Sequence, residues 1–267
     1  MLYGYSIEKA ASRPSYAKTL TVFNLHTIDH PALQGSRNVM LRTMFKAILF
    51  DLDQTLLDRK RTFRHFIEDQ HQRHDMLQQI PRDAFLEDLT VLDDNGYGDK
   101  HRAYHAILKK YDLNTIHTDL LYQDFRGNYA RCAQPYPDTH EVLQALQAAG
   151  FRMGIITNGM TATQATKMQS IGVEPFMEVA LISEQEGIKK PNPEIFQRAL
   201  QRMGLAASEV LFVGDHPEND VRAAQGVGMK AVLKLDGDEV DTSFADHVIA
   251  DLRELLPLLI SGSNSQQ

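Results

Sequence analysis

Cysteine is almost missing: Cys132 is the only one in 267 residues. No intrachain disulfide can form, which fits a reducing compartment, and the thiol reads as a small buried or half-buried side chain. Apolar runs long enough to cross a bilayer are missing too. The first twenty residues lack the continuous apolar stretch of a secretory signal, so a cytoplasmic protein is expected. Basic surplus is absent, with 28 Lys and Arg against 35 Asp and Glu and a net charge of −7. Without a basic stripe, neither a nucleic acid nor a membrane is expected as partner. A small anionic ligand remains compatible, because a few local cations can dominate a mildly acidic surface.

Strand signals are missing from two long intervals. Residues 1–43 are mixed and polar without a clear period. They read as a poorly packed extension, or as a segment preceding a true start at Met44. Residues 62–136 show only charged helical patterns, such as FRHFIEDQHQRHDMLQQI and RAYHAILKKYDL. The tail at 261–267, SGSNSQQ, is polar and expected to fray.

Between these intervals the chain is rich in short apolar runs: KAILF, RMGIIT, EVALIS, EVLFVG and KAVLKL. Continuous apolar runs predict strands buried on both faces, as in a parallel sheet. Helical patterns lie between them. PDTHEVLQALQAAG puts Val142, Leu143 and Leu146 on one face and stops at Gly150. NPEIFQRALQRMG gathers Ile195, Phe196, Ala199 and Leu200 and stops at Gly204, and NDVRAAQGVG stops near Gly226. The alternation predicts an α/β fold with a Rossmann-like, doubly wound parallel sheet. A βα crossover needs far fewer residues than 62–136 supplies. That stretch is therefore expected to be an inserted α-helical domain, with the core formed by 44–61 and 137–260.

Ligands of open α/β sheets bind beyond the carboxyl ends of the strands, and polar residues collect at those ends here. The first strand runs into Asp51-Leu52-Asp53. Residues two apart on an extended segment face one side, so Asp51 and Asp53 can address one ligand, one as nucleophile and the other as general acid and base. The second strand ends in Thr157-Asn158-Gly159, where a hydroxyl and a backbone N–H can meet a phosphate oxygen. After the third comes Lys189-Lys190-Pro191, and a lysine pinned by proline could hold phosphate charge. The fourth ends in Gly214-Asp215 with Asp220 beyond. Asp51, Asp215 and a backbone carbonyl suit Mg²⁺, which prefers oxygen ligands, and Asp220 could hold a metal-bound water. Each piece alone has a bland reading as loop, cap or surface charge. The four in one order are far more specific.

On these residues, from DLDQT at 51–55 through Thr157-Asn158 and Lys190-Pro191 to GDHPEND at 214–220, the sequence resembles the haloacid dehalogenase superfamily. The resemblance implies that Asp51 attacks phosphorus and forms an aspartyl-phosphate. Asp53 would protonate the leaving alkoxide and later activate water. Thr157, Asn158 and Lys190 would bind the phosphoryl group, and Lys190 rather than Lys189 matches because it directly precedes the proline. Asp51, the Asp53 backbone carbonyl and Asp215 would hold Mg²⁺ with Asp220 in support, and 62–136 would be a cap closing over a small phosphorylated metabolite. Many relatives have Gly where this chain has Gln54, whose side chain is expected to bear on substrate choice. Asp53 favours a phosphatase over a dehalogenase, because halide leaves without a proton.

A sugar-phosphate mutase and a phospho-aspartate signalling or binding module are the alternatives. A monomer or homodimer is expected. The substrate is not legible. His65, His71, His74, His101 and His105 each read as surface histidines. Arg61, Arg64, Arg102 and Arg126 are candidates for clamping a second anionic group, and spacing does not choose among them.

Overall fold

The computed structural model describes residues 45–96, 98–235, 237 and 241–260. The expectations for 1–43 and 261–267 lie outside them. All five apolar runs form strands: β1 (Ala47–Phe50), β2 (Arg152–Thr157), β3 (Val179–Ile182), β4 (Val210–Gly214) and β5 (Lys230–Lys234). A sixth, β6 (His247–Ile249), was not anticipated. The strands pair in the order β3-β2-β1-β4-β5-β6, and every pairing is parallel. Phe50, the last residue of β1, faces Ile155 on one side and Val213 on the other. The order reverses at β1, so the switch-point crevice opens between the ends of β1 and β4. Asp51 and Asp215 follow those two strands directly.

The period of two along β1 divides its side chains between the sheet's faces. Ile48 and Phe50 join one apolar layer with Val142, Leu143 and Leu146. Ala47 and Leu49 join the other with Ile195, Phe196 and Ala199. The helices that supply these layers are α5 (Thr139–Ala148) and α7 (Pro193–Met203). The ends of α7 are set locally: the Asn192 side chain accepts from the Glu194 N–H at 3.0 Å, Pro193 opens the helix, and Gly204 takes φ +64° past its end.

The helical interval carries α1 (Arg59–Arg73), α2 (Arg82–Asp93), α3 (Lys100–Lys110) and α4 (Thr118–Asn128). Asp58 and Asp99 cap α1 and α3 by accepting from the N–H groups of Arg61 and Arg102. These helices enclose a third apolar core of their own, including Phe66, Phe85, Leu89 and Tyr104. Each such fully buried side chain contributes about 1.5–3 kcal/mol. The chain leaves and re-enters the sheet region side by side: the Asp58 N–H donates to the Gln134 carbonyl at 2.9 Å, and the Tyr136 N–H to that of Leu56 at 3.2 Å.

Two local expectations need correction. His71 is buried rather than on the surface, packed on Phe85 with its ring 3.0 Å from the Ile80 carbonyl oxygen. The stretch after β4 is a π-helical turn (Pro217–Arg222) before a single α turn (Ala223–Gly226). The Asp220 and Val221 N–H groups both donate to the His216 carbonyl, at 3.1 and 3.3 Å. This widening turns the Asp220 carboxylate back over the strand end, where it accepts from the His216 N–H at 3.0 Å.

Candidate active site

The four strand-end elements converge. Lys190 Nζ lies 2.5 Å from Asp51 Oδ1 and 2.7 Å from Asp220 Oδ1, and all three side chains are buried. Asp51, Asp215 and Asp220 each bring a carboxylate oxygen within 4.8 Å of one another. Gly214 is required beneath them, because a Cβ there would stand 2.5 Å from Asp220 Oδ2. Thr157 is buried at the end of β2 and its hydroxyl accepts from Gln164 Nε2 at 2.6 Å. The Asn158 amide grips the backbone of Lys190, accepting from its N–H at 2.8 Å and donating to its carbonyl at 2.9 Å. Asn158 therefore fixes the lysine loop through its side chain.

Asp53 is held separately. Lys167 Nζ approaches its two oxygens at 2.7 and 3.0 Å, and Gln164 Nε2 donates to it at 2.9 Å. Both partners lie on α6 (Thr161–Ser170). Two cavities meet at Asp53. A smaller one of about 190 Å³ is lined by Asp51, Asp53, Thr157, Lys190 and Asp215. A larger one of about 720 Å³ runs from Asp53 between α6 and the inserted helices, past Tyr129, Arg126 and Arg59. Gln54 sits at the rim of the smaller cavity with φ +62°, a conformation natural to glycine. Its amide oxygen accepts from the Arg59 N–H at 2.8 Å and so tethers the start of α1.

A family model for haloacid dehalogenase-like hydrolases matches residues 45–228. The chain belongs to this family. It is 34% identical to a glyceraldehyde 3-phosphate phosphatase of Methanocaldococcus jannaschii, over 81% of this chain and 97% of that one. The enzyme of the same name from Pyrococcus furiosus is 32% identical over 80% of this chain and 92% of its own. Among solved structures, a haloacid dehalogenase-type phosphatase from Thermococcus onnurineus superposes with a TM-score of 0.57 at 29% identity, covering 79% of this chain and 96% of that chain. Within the family this chain is a phosphoric monoester hydrolase acting on a small phosphate ester.

The electrostatics of this hydrolase site divide its carboxylates. Burial pushes Asp51 up to about 7; Lys190 pulls it back and the charge of Asp220 adds to the rise. Burial, then Asp51 and Asp220, pushes Asp215 up to about 9. Burial lowers Lys190, but Asp220 and Asp51 more than offset it and hold the ammonium above its ordinary range. Burial also raises Asp53, yet the Lys167 charge and the hydrogen bonds from Lys167 and Gln164 outweigh it and hold the carboxyl below the usual range. Fully ionised, Asp51, Asp215 and Asp220 would set three negative charges against the one of Lys190, and the raised values of Asp51 and Asp215 mark that repulsion as uncompensated. A surplus of two on converging oxygen donors fits a divalent, oxygen-seeking cation.

Lys167, Gln164 and the ion pair of Arg59 with Asp93 were not singled out from sequence. The available signal was Gln164 and Lys167 one turn apart after the Thr157-Asn158-Gly159 element, which puts both on the same helix face.

Proposed function

We propose that Asp51 is the nucleophile of a two-step phosphatase acting on a short phosphorylated metabolite. An Asp51 carboxylate oxygen bonds to phosphorus while the bond to the leaving oxygen breaks, and Asp53, whose ionised form Lys167 and Gln164 favour, first takes up a proton from solvent and gives it to that oxygen. Asp53 then takes a proton from water, whose oxygen bonds to phosphorus as the Asp51–phosphorus bond breaks. Thr157, the Asn158 backbone N–H and Lys190 hold the phosphoryl oxygens. Asp51, Asp215 and the Asp53 backbone carbonyl would hold Mg²⁺, with Asp220 behind them; when bound, it offsets the carboxylate repulsion and draws charge from the phosphoryl group.

The observation that carries this reading is the position of Asp53. It lines both cavities, between the nucleophile and the space for a leaving group, where a general acid must stand. In the same reading, residues 62–136 act as a cap over a core of 44–61 and 137–260. The enzyme works on free metabolites in the cytoplasm, as a monomer or homodimer, with neither nucleic acid nor membrane as partner. Glyceraldehyde 3-phosphate, named for the relatives, heads the substrates to try. The test is phosphate release from p-nitrophenyl phosphate and a panel of two- to five-carbon phosphates, with Mg²⁺ and with chelator. Release that depends on Mg²⁺ and on Asp51 supports the reading, and no release from any ester removes it.

A further inference from the structure

The larger cavity has a charge that a neutral leaving group would leave unused. Its charged lining consists of four cations, Arg59, Lys100, Arg126 and Lys167, and one carboxylate, Asp53. This stands out in a chain of net charge −7. Three of the cations have fixed partners. Arg59 meets Asp93 through two hydrogen bonds of 2.8 and 3.1 Å. Lys100 reaches the same buried Asp93 at 2.8 Å and donates to the Gly98 carbonyl at 2.6 Å. Lys167 is paired with Asp53. Arg126, in the last turn of α4, has no carboxylate partner among the described residues. Counting Asp93 and Asp53 against the four cations, two positive charges remain.

Position separates Arg126 from the other three arginine candidates. Arg64 pairs with Glu68 on its own helix at 3.1 Å and Arg102 approaches Asp99 at 3.7 Å. Neither these two nor Arg61 lines the cavity, whereas Arg126, exposed like them, does. A guanidinium presents a planar fork of donors that matches a carboxylate or a phosphate. A cavity of about 720 Å³ holds a short carbon chain carrying such a group.

We infer that the preferred substrates carry a second anionic group on the leaving-group side, and that Arg126 receives it. This rests on the phosphatase reading above and narrows its substrate class to phosphomonoesters whose alcohol bears a carboxylate or another phosphate, which ranks glyceraldehyde 3-phosphate, named for the relatives and lacking a second anion, below such esters. Reaction end and recognition end are then divided between sheet and inserted helices: Lys190 takes the transferred phosphoryl group, and Arg126 takes the far anion.

The test measures binding without turnover. Asp51→Asn protein in Mg²⁺ buffer is titrated calorimetrically with 3-phosphoglycerate and with glycerol 3-phosphate, which share a skeleton and differ in carboxylate against hydroxymethyl. The carboxylate ester is expected to bind about tenfold tighter or more, the ratio given by one charge-assisted contact. Adding Arg126→Gln should bring the two affinities together, and Arg126→Glu should invert the order. Equal affinities in the parent, no binding of either ester, or a preference that survives Arg126→Gln overturns the inference. Failure of the phosphatase reading would appear elsewhere, as absent turnover by the wild type.

Discussion

Replacing Asp53 by Asn separates the two halves of the reaction. The side chain keeps its shape and its place between the two cavities, but it can neither give nor take the proton. Esters of alkyl alcohols need that proton to leave, whereas p-nitrophenolate leaves without one. General acid–base catalysis contributes about 10²- to 10⁴-fold. Transfer from an alkyl ester to Asp51 is therefore expected to slow by about that factor, while transfer from p-nitrophenyl phosphate stays fast. Hydrolysis of the intermediate still needs the base, so turnover stalls after the first half. Stopped-flow absorbance of the variant should show a burst of one p-nitrophenolate per active site and then a slow phase. Asn keeps one oxygen to accept from Lys167 or Gln164, which donate to the carboxylate at 2.7 and 2.9 Å, but turns a second donor toward them, so an unchanged circular dichroism spectrum is the control for folding. Equal slowing of both ester types without a burst would refute the assignment of Asp53 as acid and base.

Lys167→Met removes the charge that holds Asp53 below the usual carboxylate range. The base form then appears only at higher pH, so the acid limb of the kcat profile should move alkaline; a limb that stays in place contradicts the pairing. Gly214→Ala puts a Cβ 2.5 Å from Asp220 Oδ2 and must displace that carboxylate. Apparent Mg²⁺ affinity, read from activity against Mg²⁺ concentration, should fall by about 10- to 100-fold. Asp124 accepts two hydrogen bonds from Arg73, at 2.6 and 2.9 Å. Burial raises its carboxyl, but the Arg73, Asn128 and Gln70 hydrogen bonds outweigh this and lower it from 3.8 to about 2. A depressed folded-state value stabilises above the unfolded value and loses that effect as pH falls through the folded one. The stability gap between wild type and Asp124→Asn in urea unfolding should thus be full near neutral pH and close as pH falls from about 4 to about 2.

The central sheet was legible because its strands are buried on both faces, and a run such as RMGIIT carries that burial in its composition. β6 was not, since His247–Ile249 is three residues long, pairs only with β5, and leaves Val248 exposed at the sheet's edge. Asp51, Thr157 and Asp215 were readable as positions because each stands where a strand ends, and Lys190, eight residues past β3, because a proline follows it. Asn158 was readable as a position but not in detail: only the folded chain brings its amide onto the Lys190 backbone, 32 residues away. Lys167 was invisible for a related reason. A lysine in a polar helix reads as solvated, and its charge partner is Asp53, 114 residues earlier. Among the four arginines the sequence offered equal claims, and helix packing alone brought Arg126 to the cavity wall. Periodicity reports which face of an element is buried. It does not report which distant charge that face will meet.

The central claim is a covalent bond between phosphorus and Asp51. Asp53→Asn protein, mixed with p-nitrophenyl phosphate and Mg²⁺, quenched in acid within a second and digested, gives peptides that mass spectrometry can map. One phosphoryl group on the peptide carrying Asp51, absent when Asp51→Asn is added, is the predicted result. A phosphoryl group on another residue, or phosphate release by Asp51→Asn at the wild-type rate, would contradict it.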